Sequence, residues 1–247
     1  MTGSEPRIAI AHDYLTQRGG AERVVLAMAR AFPNAPIYTT LFNPSTTFPE
    51  FSDLDVRTTG LSRIAVFAKN HRAALPILPI VSSRIRIDAD VLLASSSGWA
   101  HGFVTSGRKI VYCYSPARWL YQSDRYLGSQ GSRALSTALK IASPMLRRWD
   151  ARAAASAASY LAISTDVQRR IHEEYGISAS VVPAPFTLPA VGYSSEVGAR
   201  LPEAGYFLVV SRLLPYKNVD AVIEAVRGTE RRLVVVGRGP EEDRLRE

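Results

Sequence analysis

The chain has 247 residues, 47% hydrophobic and 21% charged, the balance of a folded globular protein rather than a disordered one. No apolar run approaches the roughly 18 residues that cross a bilayer, "MTGSEPRIAIAHDYL" lacks the basic and apolar regions of a secretory signal, and a single cysteine, Cys113, excludes an internal disulfide or a cysteine-rich zinc site. Thirty Lys and Arg against 22 Asp and Glu leave +8 at pH 7, which points to a cytoplasmic protein with anionic partners: nucleic acid, sugar nucleotides or a membrane face.

Strand-length apolar runs alternate with helical patterns along the whole chain. "RIAIAHDYL" (7–15) predicts a buried strand, and Val25, Met28, Ala29 and Phe32 then fall at i, i+3, i+4, i+7, one apolar helix face. "APIYTTLF" (35–42) and "DVRTTG" (55–60) predict short strands; "ADVLLASSS" (89–97) and "RKIVYCYS" (108–115) predict central ones. An Ala-rich stretch over 132–159 reads as helical, with Pro144 as a candidate break. "SYLAIS" (159–164) is a strand, followed by a helix with Thr165 and Gln168 as its capping box and Gly176 as its stop. "SASVVPAP" (178–185) ends this series.

Residues 185–204 are rich in Pro, Gly and Ser without periodicity and read as a linker. Beyond it "YFLVVS" and "RRLVVVG" predict strands, Val219, Val222, Ile223 and Val226 line a helix, and "GPEEDRLRE" begins another. The expectation is a parallel α/β protein in two units, 1–184 and 205–247, with the second incomplete because the sequence ends inside a domain.

In open parallel sheets, ligands sit where strand C-termini meet helix N-termini, since free N–H groups and the helix dipole attract anions. Three loops qualify. In "HDYLTQRGGAER" (12–23), Gly19 and Gly20 let backbone approach a ligand, although a Gly-Gly pair is also ordinary turn punctuation and no GxGxxG accompanies it. In "SRLLPYKN" (211–218), Arg212 and Lys217 flank a strand-to-helix loop; two solvated surface cations would be the plain reading, but the position suits a diphosphate. In "VVVGRGPEED" (234–243), Gly237 and Gly239 are candidate ligand-side glycines, while Glu241, Glu242 and Asp243 suit the helix dipole. His12 and His101 each lie at the end of a strand-like run and are candidates for a general base or a hydroxyl binder, or are simply packed. The aromatics of "WLYQSDRY" (119–126) could stack a sugar or form core and rim. No HExxH, Walker A or Ser-His-Asp ordering occurs.

Taken together, "HDYLTQRGGAERVV", "SSSGWAHG" (95–102), "YCYSPARWLY" (112–121), "RRWD" (147–150), "AIS" (162–164), "SRLLPYKNVDAVIEA" and "VVVGRGPEEDRLRE" resemble a GT-B glycosyltransferase of the family 4 type over essentially the whole chain. The resemblance implies two Rossmann-like domains, an acceptor half followed by a nucleotide-sugar half. It implies retaining transfer of a hexose, mannose foremost, from a GDP- or UDP-sugar to a glycolipid or polysaccharide-precursor acceptor, with no metal cofactor and no named nucleophile. It places Arg212 and Lys217 on the donor diphosphate, with Gly19 and Gly20 approaching from the other half. Tyr114 stands where the family usually has a histidine ("YCHTP"), and becomes a candidate sugar contact with His12 and His101. The family's acidic motif, two glutamates eight apart, would fall beyond Glu247, so a non-catalytic GT-B fragment that binds a ligand or partner is the alternative. The basic, acid-free stretch Arg57–Ile87 fits a peripheral contact with an anionic membrane or, equally, a solvated helix. A nucleic-acid partner is not expected, because no aromatic–basic interleaving or helix-turn-helix pattern occurs.

Overall fold

The computed structural model describes residues 5–64, 77–122, 133–186 and 203–246, in two compact units that divide after Phe186. The first is built on β1 (Ile8–His12), α1 (Gly20–Ala31), β2 (Ile37–Thr39), β3 (Val56–Thr58), α2 (Leu78–Ser82), β4 (Arg86–Ile87), β5 (Val91–Ser96), β6 (Val104–Thr105) and β7 (Arg108–Cys113). It continues through α3 (Arg118–Tyr121), α4 (Arg133–Ala155), β8 (Ser159–Ala162), α5 (Thr165–Tyr175) and β9 (Ser180–Val181). Seven of these strands form one parallel sheet in the order β3-β2-β1-β5-β7-β8-β9, while β4 and β6 make a separate short parallel pair.

The order explains where a site can lie. The chain runs outward from β1 to β2 and β3, then returns to place β5 on the other side of β1. At such a reversal the connections leave in opposite directions and open a crevice at the strands' carboxyl ends. His12 pairs with Ser95 there.

Burial on both faces drives the sheet. Ala9, Ile10, Ala11, Leu92 and Ala94 are buried, as a parallel sheet covered by helices requires. Ile10, Leu15, Val25, Leu26, Ala29, Ile37 and Phe51 form one core cluster, with Met28 packed at its edge; burying each large side chain contributes about 1.5–3 kcal/mol. The predicted Val25/Ala29 face of α1 is thus its inner face.

Two local expectations change. The N-cap of α5 is Ser164, not Thr165: its Oγ accepts from Val167 N at 3.3 Å. Gln168 then reaches Ala179 O at 2.7 Å instead of closing a capping box. Gly176 does end this helix in the left-handed region, φ 67. Pro144 lies inside a continuous α4. It sits on the exposed side, where water can satisfy the carbonyl left without an N–H donor.

The second unit comprises β10 (Tyr206–Val210), α6 (Val219–Val226), β11 (Arg232–Val236) and α7 (Glu242–Arg246). β10 and β11 pair in parallel from Tyr206↔Arg232 to Val210↔Val236, the alternation expected from the sequence. Residues 187–202 of the expected linker lie outside the described residues. No helix among the described residues is long and apolar enough to cross a membrane.

Candidate functional site

At the β1/β5 reversal the first unit concentrates polar side chains. Asp13, one residue past β1, is buried. Its carboxylate accepts from Ser96 Oγ (3.2 Å), Ser97 N (2.6 Å), Ser97 Oγ (3.1 Å), Trp99 N (2.9 Å) and Ala100 N (2.7 Å). Those donors belong to the last residue of β5 and the turn after it, so one carboxylate fixes residues 96–100 to the end of β1. Charge-assisted bonds to backbone N–H groups are the strong kind, and together they hold a charge that would otherwise be costly to bury. The Asp13 carbonyl accepts in addition from Thr40 Oγ1 and Trp99 Nε1.

Two chains of contacts run outward. On one, His12 Nδ1 lies 3.0 Å from Ser95 Oγ, Ser95 Oγ lies 2.9 Å from Tyr114 OH, and that hydroxyl donates to Ala21 O at 3.2 Å. If each group donates once, Ser95 donates to Tyr114 and His12 donates through Nδ1, which leaves Nε2 of a neutral His12 as an acceptor. Burial pushes the Tyr114 hydroxyl's pKa well up, so it stays a donor and ties β7 to the first turn of α1.

On the other, Ser96 Oγ lies 3.2 Å from His101 Nδ1, and His101 Nε2 lies 3.0 Å from Asp150 Oδ1 on α4. That last contact is close enough for an ion pair, but neither atom has an aligned hydrogen-bond partner. Asp150 Oδ2 accepts from Tyr121 OH and Tyr175 OH, both at 2.8 Å. Burial raises the pKa of both tyrosines, so they remain donors. Lys109, also buried, donates to His101 O and Ser156 Oγ at 2.8 Å each; loss of hydration lowers its pKa to about 8.

Gly19 is the N-cap of α1, with extended backbone and no side-chain cap. A Cβ on Gly19 would meet Glu22 Oε2 at 2.5 Å, whereas Gly20 has open space above it. Gly20 therefore presents bare backbone at the start of a 12-residue helix, a geometry suited to an anion or a sugar hydroxyl. Glu22 Oε2 is buried without a hydrogen-bond partner among the described residues.

In the second unit, the loop after β10 and the loop after β11 are joined backbone to backbone. Ser211 N donates to Val236 O (3.0 Å), Leu213 N to Arg238 O (3.0 Å) and Glu241 N to Leu213 O (3.2 Å). A Cβ on Gly237 would overlap Ser211 O, and one on Gly239 would overlap Leu213 O, so both glycines serve this close approach. Arg212 and Lys217 are exposed. Tyr216 stands between them: Arg212 Nη2 lies 3.4 Å from its hydroxyl, and Lys217 Nζ lies 5.6 Å from its ring centroid. Asn218, at φ 50 and ψ 40, turns the chain from the short 3₁₀ helix Pro215–Lys217 into α6; asparagine tolerates this region better than most residues. Glu241 and Asp220 are both met by Arg244, at 2.7 and 3.4 Å.

The structure thus puts His12 and Tyr114 in one chain of contacts and His101 in a second, both at the β1/β5 reversal of the first unit, and Arg212, Lys217, Gly237 and Gly239 on one loop pair in the second. Sequence reasoning missed Asp13, Ser95, Ser96 and Asp150, and missed that the backbone of Arg238 is bonded to Leu213, the residue after Arg212. The usable signals were an aspartate directly after a strand and a run of serines ending another. Among the described residues, no group of three or more His, Cys, Asp or Glu could hold a metal ion.

The family model Glycosyltransferase Family 4 matches residues 18–186, from the glycine loop before α1 to the end of the first unit. No curated protein matches the chain. With more than half its length matched, the chain belongs to Glycosyltransferase Family 4, and its first unit is a glycosyltransferase domain of that family.

Proposed function

For a chain of this family we propose retaining transfer of a hexose, mannose foremost, from a GDP- or UDP-sugar to a glycolipid or polysaccharide-precursor acceptor. The supporting observation is the exposed pair Arg212 and Lys217 on a loop whose backbone is fixed by β11's loop. A leaving nucleoside diphosphate accumulates negative charge as the glycosidic bond breaks, and preorganised cations at the site of that charge lower the barrier. The guanidinium of Arg212 can take two phosphate oxygens at once, while Lys217 supplies a mobile point charge. Arg238, exposed on the loop whose backbone bonds to Leu213, is a further cation within reach of a ligand on this loop pair, and the N-terminus of α6 adds its dipole.

In this reading the buried network around Asp13 positions rather than reacts: it holds the turn after β5 and the start of α1, where Gly20 offers backbone to the sugar or the acceptor. His12 Nε2, left as the acceptor in the tautomer that the Nδ1 contacts imply, is the candidate to take a hydrogen bond from a hydroxyl. The protein works in the cytoplasm, peripherally on an anionic membrane face, where a lipid-linked acceptor would lie.

The test is titration of the chain with UDP, GDP and their hexose derivatives. Saturable binding that weakens at least tenfold in Arg212→Ala and in Lys217→Ala supports the donor site; equal affinity in both variants removes it.

A further inference from the structure

The basic face expected at Arg57–Ile87 falls partly on residues 65–76, outside the described residues. Arg57 itself is engaged, with Asp55 at 2.7 Å and Tyr38 OH at 2.8 Å. The described end of that stretch, residues 77–87, joins a second cationic–apolar element where α2 packs against α4. On α4, Ile141 is 77% exposed and Met145 60% exposed, and Arg148 and Arg152 are exposed as well. These four fall at i, i+4, i+7 and i+11, a single stripe of a helix. Trp149, beside the stripe, donates to Ser83 Oγ at 2.7 Å, which joins it to the end of α2. There Ile77 and Ile80 are 38% and 45% exposed, with Arg84 and Arg86 exposed just beyond.

Among the described residues, α2 and the exposed stripe of α4 carry no acid. Asp150 is the only acid of α4 and is fully buried, and residues 77–87 hold none. Asp88 and Asp90, the nearest acids in sequence, are taken by Arg7 at 2.8 and 3.2 Å. Of the three acids of α5, Asp166 and Glu173 are paired with Arg169 at 2.6 and 2.8 Å, and Glu174 feels the charge of Arg147, which is not one of the four stripe residues of α4. That helix meets α4 through Tyr175 and Asp150, on the opposite side from the stripe.

We infer that the α2–α4 face is the surface by which the protein lies on an anionic lipid bilayer, with Ile77, Ile80, Ile141 and Met145 entering the acyl boundary and Arg84, Arg86, Arg148 and Arg152 at the headgroups. A bilayer offers negative charge and apolar depth within a few ångströms of each other, and it suits arginines beside isolated large apolar side chains. A neutral protein surface would cover the isoleucines but leave the arginines without partners. The inference names the contact for the peripheral location proposed above and rests on that location, not on the donor site.

The test is cosedimentation of the full chain with vesicles of phosphatidylcholine alone or with 30% phosphatidylglycerol, at low salt. Binding is expected only with the anionic vesicles. Ile141→Ser/Met145→Ser and Arg148→Glu/Arg152→Glu should each lower it at least tenfold, with thermal unfolding unchanged because all four side chains face solvent. No binding of the unaltered chain overturns both this inference and the peripheral location. Binding that survives both double variants removes α4 from the contact, overturns the α2–α4 face and leaves residues 57–87 alone as the contact. Conversion of a dimer to a monomer by Ile141→Ser/Met145→Ser, with vesicle binding intact, would assign the face to self-association and overturn the inference as well.

Discussion

The carboxyl ends of the two parallel sheets do opposite things with their polar residues. In the first unit, Asp13, His12, Ser95, Ser96, His101 and Asp150 are buried, with His12 bonded to Ser95, Ser96 bonded to Asp13 and close to His101, and His101 against Asp150. In the second, Arg212, Lys217 and Arg238 are exposed on two loops whose backbones, not side chains, hold each other. Each sheet follows the same strand–loop–helix plan with glycines in the loop, yet one edge is a scaffold and the other offers charge. Buried polar groups fix geometry because each is costly to leave unpaired. Exposed cations on a backbone held by its own hydrogen bonds stay within reach of an anionic ligand.

The sharpest way to break this contrast is Asp13→Ala. It removes the acceptor for five donors and leaves buried N–H groups unsatisfied, so urea unfolding should show a loss above about 3 kcal/mol. Gly239→Ala attacks the second edge through its backbone. A methyl group there overlaps Leu213 O, and nucleotide affinity should fall although no charge changes, with a loss of about 1–3 kcal/mol in stability by the same urea assay. Tyr114→Phe is milder: it drops the bonds to Ser95 and Ala21 and should cost about 1–2 kcal/mol. Lys217→Ala should leave stability within about 0.5 kcal/mol while weakening diphosphate binding.

A pH prediction sharpens the first edge further. Burial holds Lys109 near a pKa of about 8, below the 10.5 of an unburied lysine. Between about pH 8 and 10.5 the unfolded chain therefore binds this proton and the folded chain does not, so Lys109 makes stability rise with pH across that window. Urea midpoints at pH 8 and pH 10 should show the rise, and Lys109→Met should flatten it.

Most of the architecture was legible from pattern. Parallel strands leave β-branched runs such as "LVV" and "IVYC", and helices leave apolar residues at i and i+4, so the βα order could be read directly. Gly176 could be placed because a helix stop has one dominant residue. The α5 cap slipped by one residue because Ser164 and Thr165 are both good caps, and only tertiary contact sends Gln168 to Ala179. Pro144 looked like a break because sequence does not say which side of a helix faces water. Arg212 and Lys217 stood out because charge in a strand-to-helix loop is local information. Asp13's role is not local: its donors lie more than 80 residues away, and nothing within "HDYL" reveals them. The same holds for Gly237 and Gly239, whose constraint is the backbone of a loop some 25 residues earlier.

The most direct test of the central claim, that the second unit's loop pair binds the donor diphosphate, is calorimetric titration of UDP, GDP and their monophosphates into the unaltered chain and into Lys217→Ala and Arg212→Ala. The account predicts saturable binding of at least one nucleoside diphosphate, weaker binding of its monophosphate, and at least a tenfold loss in each variant without loss of fold. Diphosphate affinity that is the same in all three proteins would contradict it.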